Sequence, residues 1–140
     1  MWKETKTPYK FNIVENEGGK TLAYDPESGV KIIEKDGFAF KDLAKTGELL
    51  PYEDWRLSPE ERADDLARRL SVEQVAGLMC FSAHQMKVEP EVNEEQKTFL
   101  DQHLRSVLNS CGMGGVDDET QIKWSNAMQR YVEGKDFGIP

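Results

Sequence analysis

Residues 42–53, DLAKTGELLPYE, carry the spacing of a calcium-binding loop, with Asp42 at position 1, Gly47 at position 6, Leu49 at position 8 and Glu53 at position 12. A hard cation of that kind takes six to eight oxygen ligands. Here Ala44 stands at position 3 and Thr46 at position 5, and Glu48 falls at position 7, which ligates through its backbone carbonyl, so among the side-chain ligand positions only Asp42 and Glu53 offer charged oxygen. The stretch therefore reads as a degenerate calcium-like loop, a structural turn that holds no metal.

Other constellations are weaker. Cys80 and His84 lie four apart and could share a helix face, but zinc would need His103 and Cys111 to converge on them. The plain expectation is two ordinary thiols and two surface or capping histidines, with neither metal nor cofactor. Gly112-Met113-Gly114-Gly115 has the look of a phosphate cradle, yet Asp117, Asp118 and Glu119 open the helix behind it and would repel phosphate. A tight turn is the better reading. Ser110 and Cys111 flank no base at a spacing useful for nucleophilic catalysis. The carboxylates Glu60, Glu61, Asp64, Asp65, Glu94 and Glu95 stand where helix caps and solvated helix faces place them, so no catalytic residue is assigned. Trp55 and Trp124 could stack on sugar rings, but core packing is the simpler role for both.

The elements that would position these residues begin with short strands. Crude apolar alternation runs through Tyr9, Phe11 and Ile13, then Leu22 and Tyr24, then Val30, Ile32 and Ile33, then Phe38 and Phe40. Gly18-Gly19, the run Asp25-Pro26-Glu27-Ser28-Gly29, and Asp36-Gly37 supply the turns, the last a tight hairpin. Helix starts follow in quick succession. Ser58 with Glu61, Ser71 with Gln74, and Asn93 with Gln96 are capping boxes, their partners three positions apart. The first helix is expected to turn Ala63, Leu66, Ala67 and Leu70 inward and Arg62, Asp65, Arg68 and Arg69 outward. The second should bury Val72, Val75, Ala76 and Met79, and Gly77 within it points to close approach of another backbone. Phe99 and Leu100 face the core from the third helix, which ends near His103. RSVLN at 105–109 reads as a buried strand, and a long helix from Asp117 or Asp118 to Val132 should bury Ile122, Ala127, Met128 and Tyr131. Strand, glycine loop and helix in that order make a parallel β/α unit, which needs a second strand beside the first. Ile139-Pro140 reads as its beginning, so the unit is expected to be unfinished.

Composition bounds the partners. Among 140 residues, 26 acidic side chains stand against 18 basic, a net charge of −8 that disfavours nucleic acid and anionic membrane surfaces. No apolar run approaches the roughly 18 residues of a membrane span, and no signal-peptide core follows Met1-Trp2-Lys3-Glu4-Thr5. The chain reads as soluble, with its cellular address undetermined. Hydrophobic residues make up 38% and charged residues 31%, polar for a domain that must enclose its own core.

Three segments carry a resemblance. RADDLARRLSVEQVAGLM resembles the opening ddLlsrMtleEKvgqM pattern of glycoside hydrolase family 3, although Gln74 and Val75 replace its usual Glu-Lys pair. RSVLNSCG resembles the first barrel strand of that family, and WSNAMQRYVEGKDFGIP the helix leading to the second. The loop followed by PYEDWR is similar to the leaders of some bacterial members. The resemblance implies an α/β fold: the start of a (β/α)8 TIM barrel over 54–140, incomplete, behind a β-hairpin-rich leader over 1–53. A small α+β domain is the alternative. It implies a retaining, exo-acting, β-glucosidase-like hydrolase acting on terminal β-linked sugars of oligo- or disaccharides, with its catalytic carboxylates downstream. As a fragment the chain is then expected to be inactive and to self-associate where the remainder of the parent barrel is missing. A non-catalytic acidic interaction module is the competing function.

Overall fold

The computed structural model describes residues 1–82, 89–107 and 116–139. Over these described residues it is a mixed α/β structure with two small antiparallel sheets, one short parallel pair and four α-helices, an inventory that suits a small α+β domain. Two compact units share the chain. One takes Met1–Arg69 together with Glu133–Ile139, the other Leu70–Val132.

The first unit begins with strands β1 (Trp2–Lys6), β2 (Asn12–Asn16) and β3 (Leu22–Tyr24), paired antiparallel in that order. β4 (Lys31–Lys35) and β5 (Phe38–Asp42) form a separate hairpin through the expected turn at Asp36 and Gly37. Strand β1 escapes sequence reading because WKETK has no apolar alternation; its backbone pairing with β2 alone makes it a strand.

The buried face of β2 is also not the anticipated one. Tyr9 is 73% exposed, and the residues turned inward are Asn12, Val14 and Asn16. Asn16 explains why an amide is tolerated there. Its Oδ1 accepts from the Ala39 N–H at 2.7 Å, and its Nδ2 donates to the Ala39 carbonyl at 3.2 Å and to that of Lys20 at 2.9 Å. The side chain thus stitches β2 to β5 as a strand backbone would, satisfying groups that burial would otherwise penalise. Val14, Tyr24, Val30 and Ala39 form the core, with Trp2, Leu22, Ile32 and Leu43 packed around it.

A 3-10 turn at Pro51–Glu53 leads into α1 (Pro59–Arg69), capped by Ser58 and Glu61 as expected. The expected inner stripe is covered only in part: Leu66 and Leu70 are half-buried, Ala63 and Ala67 are exposed, and α1 has no fully buried residue. Polar groups dock this helix instead. Arg62 Nε donates to the Tyr52 carbonyl at 2.9 Å, and Asp65 accepts from the Tyr52 N–H at 3.2 Å while pairing with Arg69. A turn too short to satisfy its own backbone draws partners from the helix, which overrides the apolar pattern.

In the second unit, α2 (Val72–Met79) and α3 (Glu94–Asp101) carry the Ser71/Gln74 and Asn93/Gln96 capping boxes read from sequence. Helix α2 buries Gly77 rather than its large side chains, leaving Val72 and Met79 each 81% exposed. The glycine is demanded by space, because a Cβ there would lie 2.1 Å from the Gln102 carbonyl oxygen. Helix α4 (Asp118–Glu133) starts at Asp117, which accepts from the Thr120 N–H. It buries Trp124, Ala127, Met128 and Val132 against Leu100 and Val92, whereas Ile122, expected inside, is 62% exposed.

Strand β7 (Ser106–Val107) falls within the predicted RSVLN segment, and a parallel partner is present: β6 (Phe81–Ser82), pairing Phe81 with Ser106 and Ser82 with Val107. The partner expected at 139–140 is not the one observed; Ile139 has extended φ and ψ after a turn, and Pro140 lies outside the described residues. No helix among the described residues is long and apolar enough to cross a membrane.

Candidate functional site

The calcium-like loop hangs between two fixed points. Asp42 is the last residue of β5, in register with Lys31, and Glu53 closes the 3-10 turn before α1. Gly47, at the position where such loops turn sharply, has φ +80, a left-handed value that favours glycine.

The two carboxylates face the loop's own backbone. Asp42 is 3% exposed; its Oδ1 accepts from the Thr46 N–H and its Oδ2 from the Gly47 N–H, both at 2.9 Å. Glu53, 4% exposed, accepts from the Ala44 N–H at 2.8 Å through Oε1 and from the Leu50 N–H at 2.9 Å through Oε2. Each of the four oxygens thus meets a backbone donor. Ionised acceptors of N–H groups make hydrogen bonds roughly twice as strong as neutral ones. Thr46, at the position that wants a carboxylate or amide, uses its hydroxyl locally, donating to the Glu48 carbonyl at 3.2 Å. The arrangement is suited to shaping a turn.

Residues on either side of the loop in sequence pack together. Trp55 stacks on Phe40 with centroids 5.2 Å apart, meets Phe38 edge-on at 5.4 Å, and donates Nε1 to the Ala39 carbonyl at 3.1 Å. This is the packing role anticipated for it. The Arg56 guanidinium sits 4.9 Å from the Phe40 ring centre and is held by Asp54 and Asp36. Hydrogen bonding to Arg56 keeps the Asp54 carboxyl below its ordinary range, and Asp54 and Asp36 in turn raise the Arg56 pKa. Burial, with the Glu53 carboxylate beside it, pushes the Tyr52 phenol far above its usual value. These shifts belong to a tightly bonded scaffold, and none leaves a carboxyl poised near neutrality as an acid catalyst would need.

The remaining candidates are not brought together. Cys80 is exposed and ends α2, its N–H on the Gly77 carbonyl. His103 takes a left-handed φ of +65 after α3, its N–H donating to the Leu100 carbonyl, as a helix-end residue does. His84, Ser110, Cys111, Gly112, Gly114 and Gly115 lie outside the described residues. Among the described residues no three of His, Cys, Asp and Glu converge as metal ligands would. Glu61 bonds the Ser58 N–H and hydroxyl, which lowers its pKa; Asp64 pairs with Arg68 and Glu94 with Lys97. Trp124, 1% exposed, donates Nε1 to Gln96 Oε1 at 3.0 Å inside the core. Sequence reasoning missed Asn16 and Tyr52, whose roles come from contacts between distant segments that no local spacing announces.

The chain is 30% identical over 119 residues to a periplasmic beta-glucosidase/beta-xylosidase of Dickeya chrysanthemi. The chain is similar to a glycosidase. The match takes in 80% of this chain but 18% of that protein's length, so the chain spans less than a fifth of the relative. No family model matches.

Proposed function

We propose that this chain is the N-terminal part of a retaining, exo-acting β-glycosidase of glycoside hydrolase family 3, which removes terminal β-linked sugars from oligo- or disaccharides. The observation that carries this reading is the sequence match to a β-glucosidase/β-xylosidase along four-fifths of the chain. In the proposed layout, residues 1–53 are a leader with a metal-free loop, and residues 54–140 begin a (β/α)8 barrel.

Two structural features support it. The order β6, α3, β7, α4 with β6 and β7 parallel is the repeating pattern of such a barrel, and parallel strands require a crossover between them. Val72, Met79 and Phe81 are large apolar side chains 67–81% exposed in the second unit, surface that the remaining barrel would cover.

Retaining hydrolysis needs a nucleophilic carboxylate and an acid/base carboxyl about 5 Å apart. No pair on this chain is assigned those roles. A barrel active site is assembled from the loops after all eight strands, and closing it takes about 200 residues or more. The 140-residue chain alone is therefore expected to be inactive, while the protein that carries the whole barrel hydrolyses aryl β-glucosides with retention. Assaying both on such a substrate tests the proposal; hydrolysis by the 140-residue chain would overturn it.

A non-catalytic interaction module is the second reading, favoured by the small α+β inventory of elements. It requires an isolated chain that is monomeric and melts in one sharp transition, whereas the barrel reading requires self-association or weak cooperativity.

A further inference from the structure

Seven residues at the end of α4 and beyond it, Glu133–Ile139, belong to the first unit although more than 60 residues separate them from the rest of it. Four segments of the leader converge on them. The Glu133 side chain is 9% exposed; its Oε1 receives Lys41 Nζ at 2.7 Å from β5, and its Oε2 the Asp25 N–H at 2.9 Å from the turn after β3. Lys45, in the calcium-like loop, places its ammonium on the carbonyls of Glu133 at 3.2 Å and Lys135 at 3.1 Å, as well as on its own neighbour Leu43 at 3.3 Å. Tyr52, in the 3-10 turn, donates its hydroxyl to the Phe137 carbonyl at 3.1 Å and sets its ring edge-on to that of Phe137. Gly138 is buried, and a Cβ on it would lie 2.9 Å from Leu43 Cδ2, so the turn is pressed onto the loop.

These contacts have one logic. The last carbonyls of a helix have no partners within it, and the Lys45 ammonium meets that of Glu133 and the helix dipole, while the Lys41 ammonium meets the Glu133 side chain. The Glu133 carboxylate, almost removed from water, is tolerated because a cation and a backbone N–H both reach it. Phe137, at φ +58, holds a left-handed conformation that costs a non-glycine residue energy and persists only where surrounding contacts fix it.

We infer that the leader is a two-part clamp, closed by Glu133–Ile139, so that the leader and this turn open together as one cooperative unit while the core around Leu100 and Trp124 opens separately. In a loop with calcium spacing, the Lys45 ammonium is the tethered cation that joins the loop to the turn. The inference is independent of the glycosidase reading.

Native-state amide exchange on the full chain tests it, comparing the wild type with Glu133→Ala. Exchange of the β2, β5 and 136–139 amides should rise together by about tenfold or more, with the α3 amides changed by less than about twofold. An unchanged leader would overturn the clamp, and so would an equal rise in α3, which would make the chain one cooperative body. If Glu133→Ala does not fold, Tyr52→Phe removes only the hydroxyl bond; it should raise exchange by about threefold at 136–139 and in β5, and no change at either would overturn the proposal.

Discussion

Replacing Glu53 by Gln changes one oxygen to NH2 at nearly constant volume, at a side chain that is 4% exposed. Both Glu53 oxygens accept backbone donors, from Ala44 at 2.8 Å and Leu50 at 2.9 Å. Glutamine can accept only one of these bonds and turns its own donor toward the other N–H. One charge-assisted bond is lost, the other becomes neutral, and one buried donor is left facing a donor. The sum is roughly 2–4 kcal/mol. For a chain of this size that lowers Tm by about 6–14 °C. Thermal unfolding, followed by the amide proton signals of β4 and β5 in EDTA, measures it. The same experiment with calcium separates a self-bonded loop from an ion-holding one. An ion bound to the folded state at a hundred times its Kd would add about 2.7 kcal/mol. The expected result is an equal Tm for the wild type in EDTA and in millimolar calcium, with a large drop for Glu53→Gln in both. A calcium-dependent rise in Tm, or a neutral Glu53→Gln in EDTA, would refute the reasoning.

Other changes test other parts of the structure. Gly77→Ala drives a Cβ toward the Gln102 carbonyl, 2.1 Å away, and should destabilise the second unit by roughly 2–4 kcal/mol although alanine is the better helix former; a chemical denaturation midpoint at or above wild type would contradict the close approach. Asp54 has its pKa lowered in the folded state by Arg56, so its contribution is present above the unfolded value of about 3.9 and is lost as pH falls through the folded value. Asp54→Asn should therefore destabilise the protein at neutral pH and flatten the acid limb of its stability curve below about pH 4; parallel curves for the two proteins would remove Asp54 from the acid response.

Local chemistry was legible where a residue acts within three or four positions of itself. Ser58 with Glu61, Ser71 with Gln74 and Asn93 with Gln96 all form the capping boxes that their spacing announces. The hairpin at Asp36-Gly37, the backbone approach at Gly77 and the packing of Trp55 and Trp124 were equally readable. Inner faces were harder. Apolar periodicity placed Val72, Met79 and Ile122 inside, where they are exposed, because a helix face is buried only if something covers it. The same periodicity assigned Arg62 and Asp65 to solvent, missing the backbone groups of Tyr52 that recruit them. Strand β1 and the partner strand β6 carry no period of their own and exist through pairing. The return of Glu133–Ile139 to the leader is made by contacts across 85 to 92 residues, which no window along a sequence can show. For the loop, the spacing and the poor ligand set were visible in sequence; that its oxygens turn to the backbone was not.

The measurement that bears most directly on the central claim is the hydrolysis of an aryl β-glucoside, with the anomeric configuration of the first product read by proton NMR. Run on the 140-residue chain and on the protein that continues it through a whole barrel, it should give no product from the first and a β-configured sugar from the second. Hydrolysis by the 140-residue chain, an α-configured product, or a barrel protein without action on β-glucosides or β-xylosides would contradict the account.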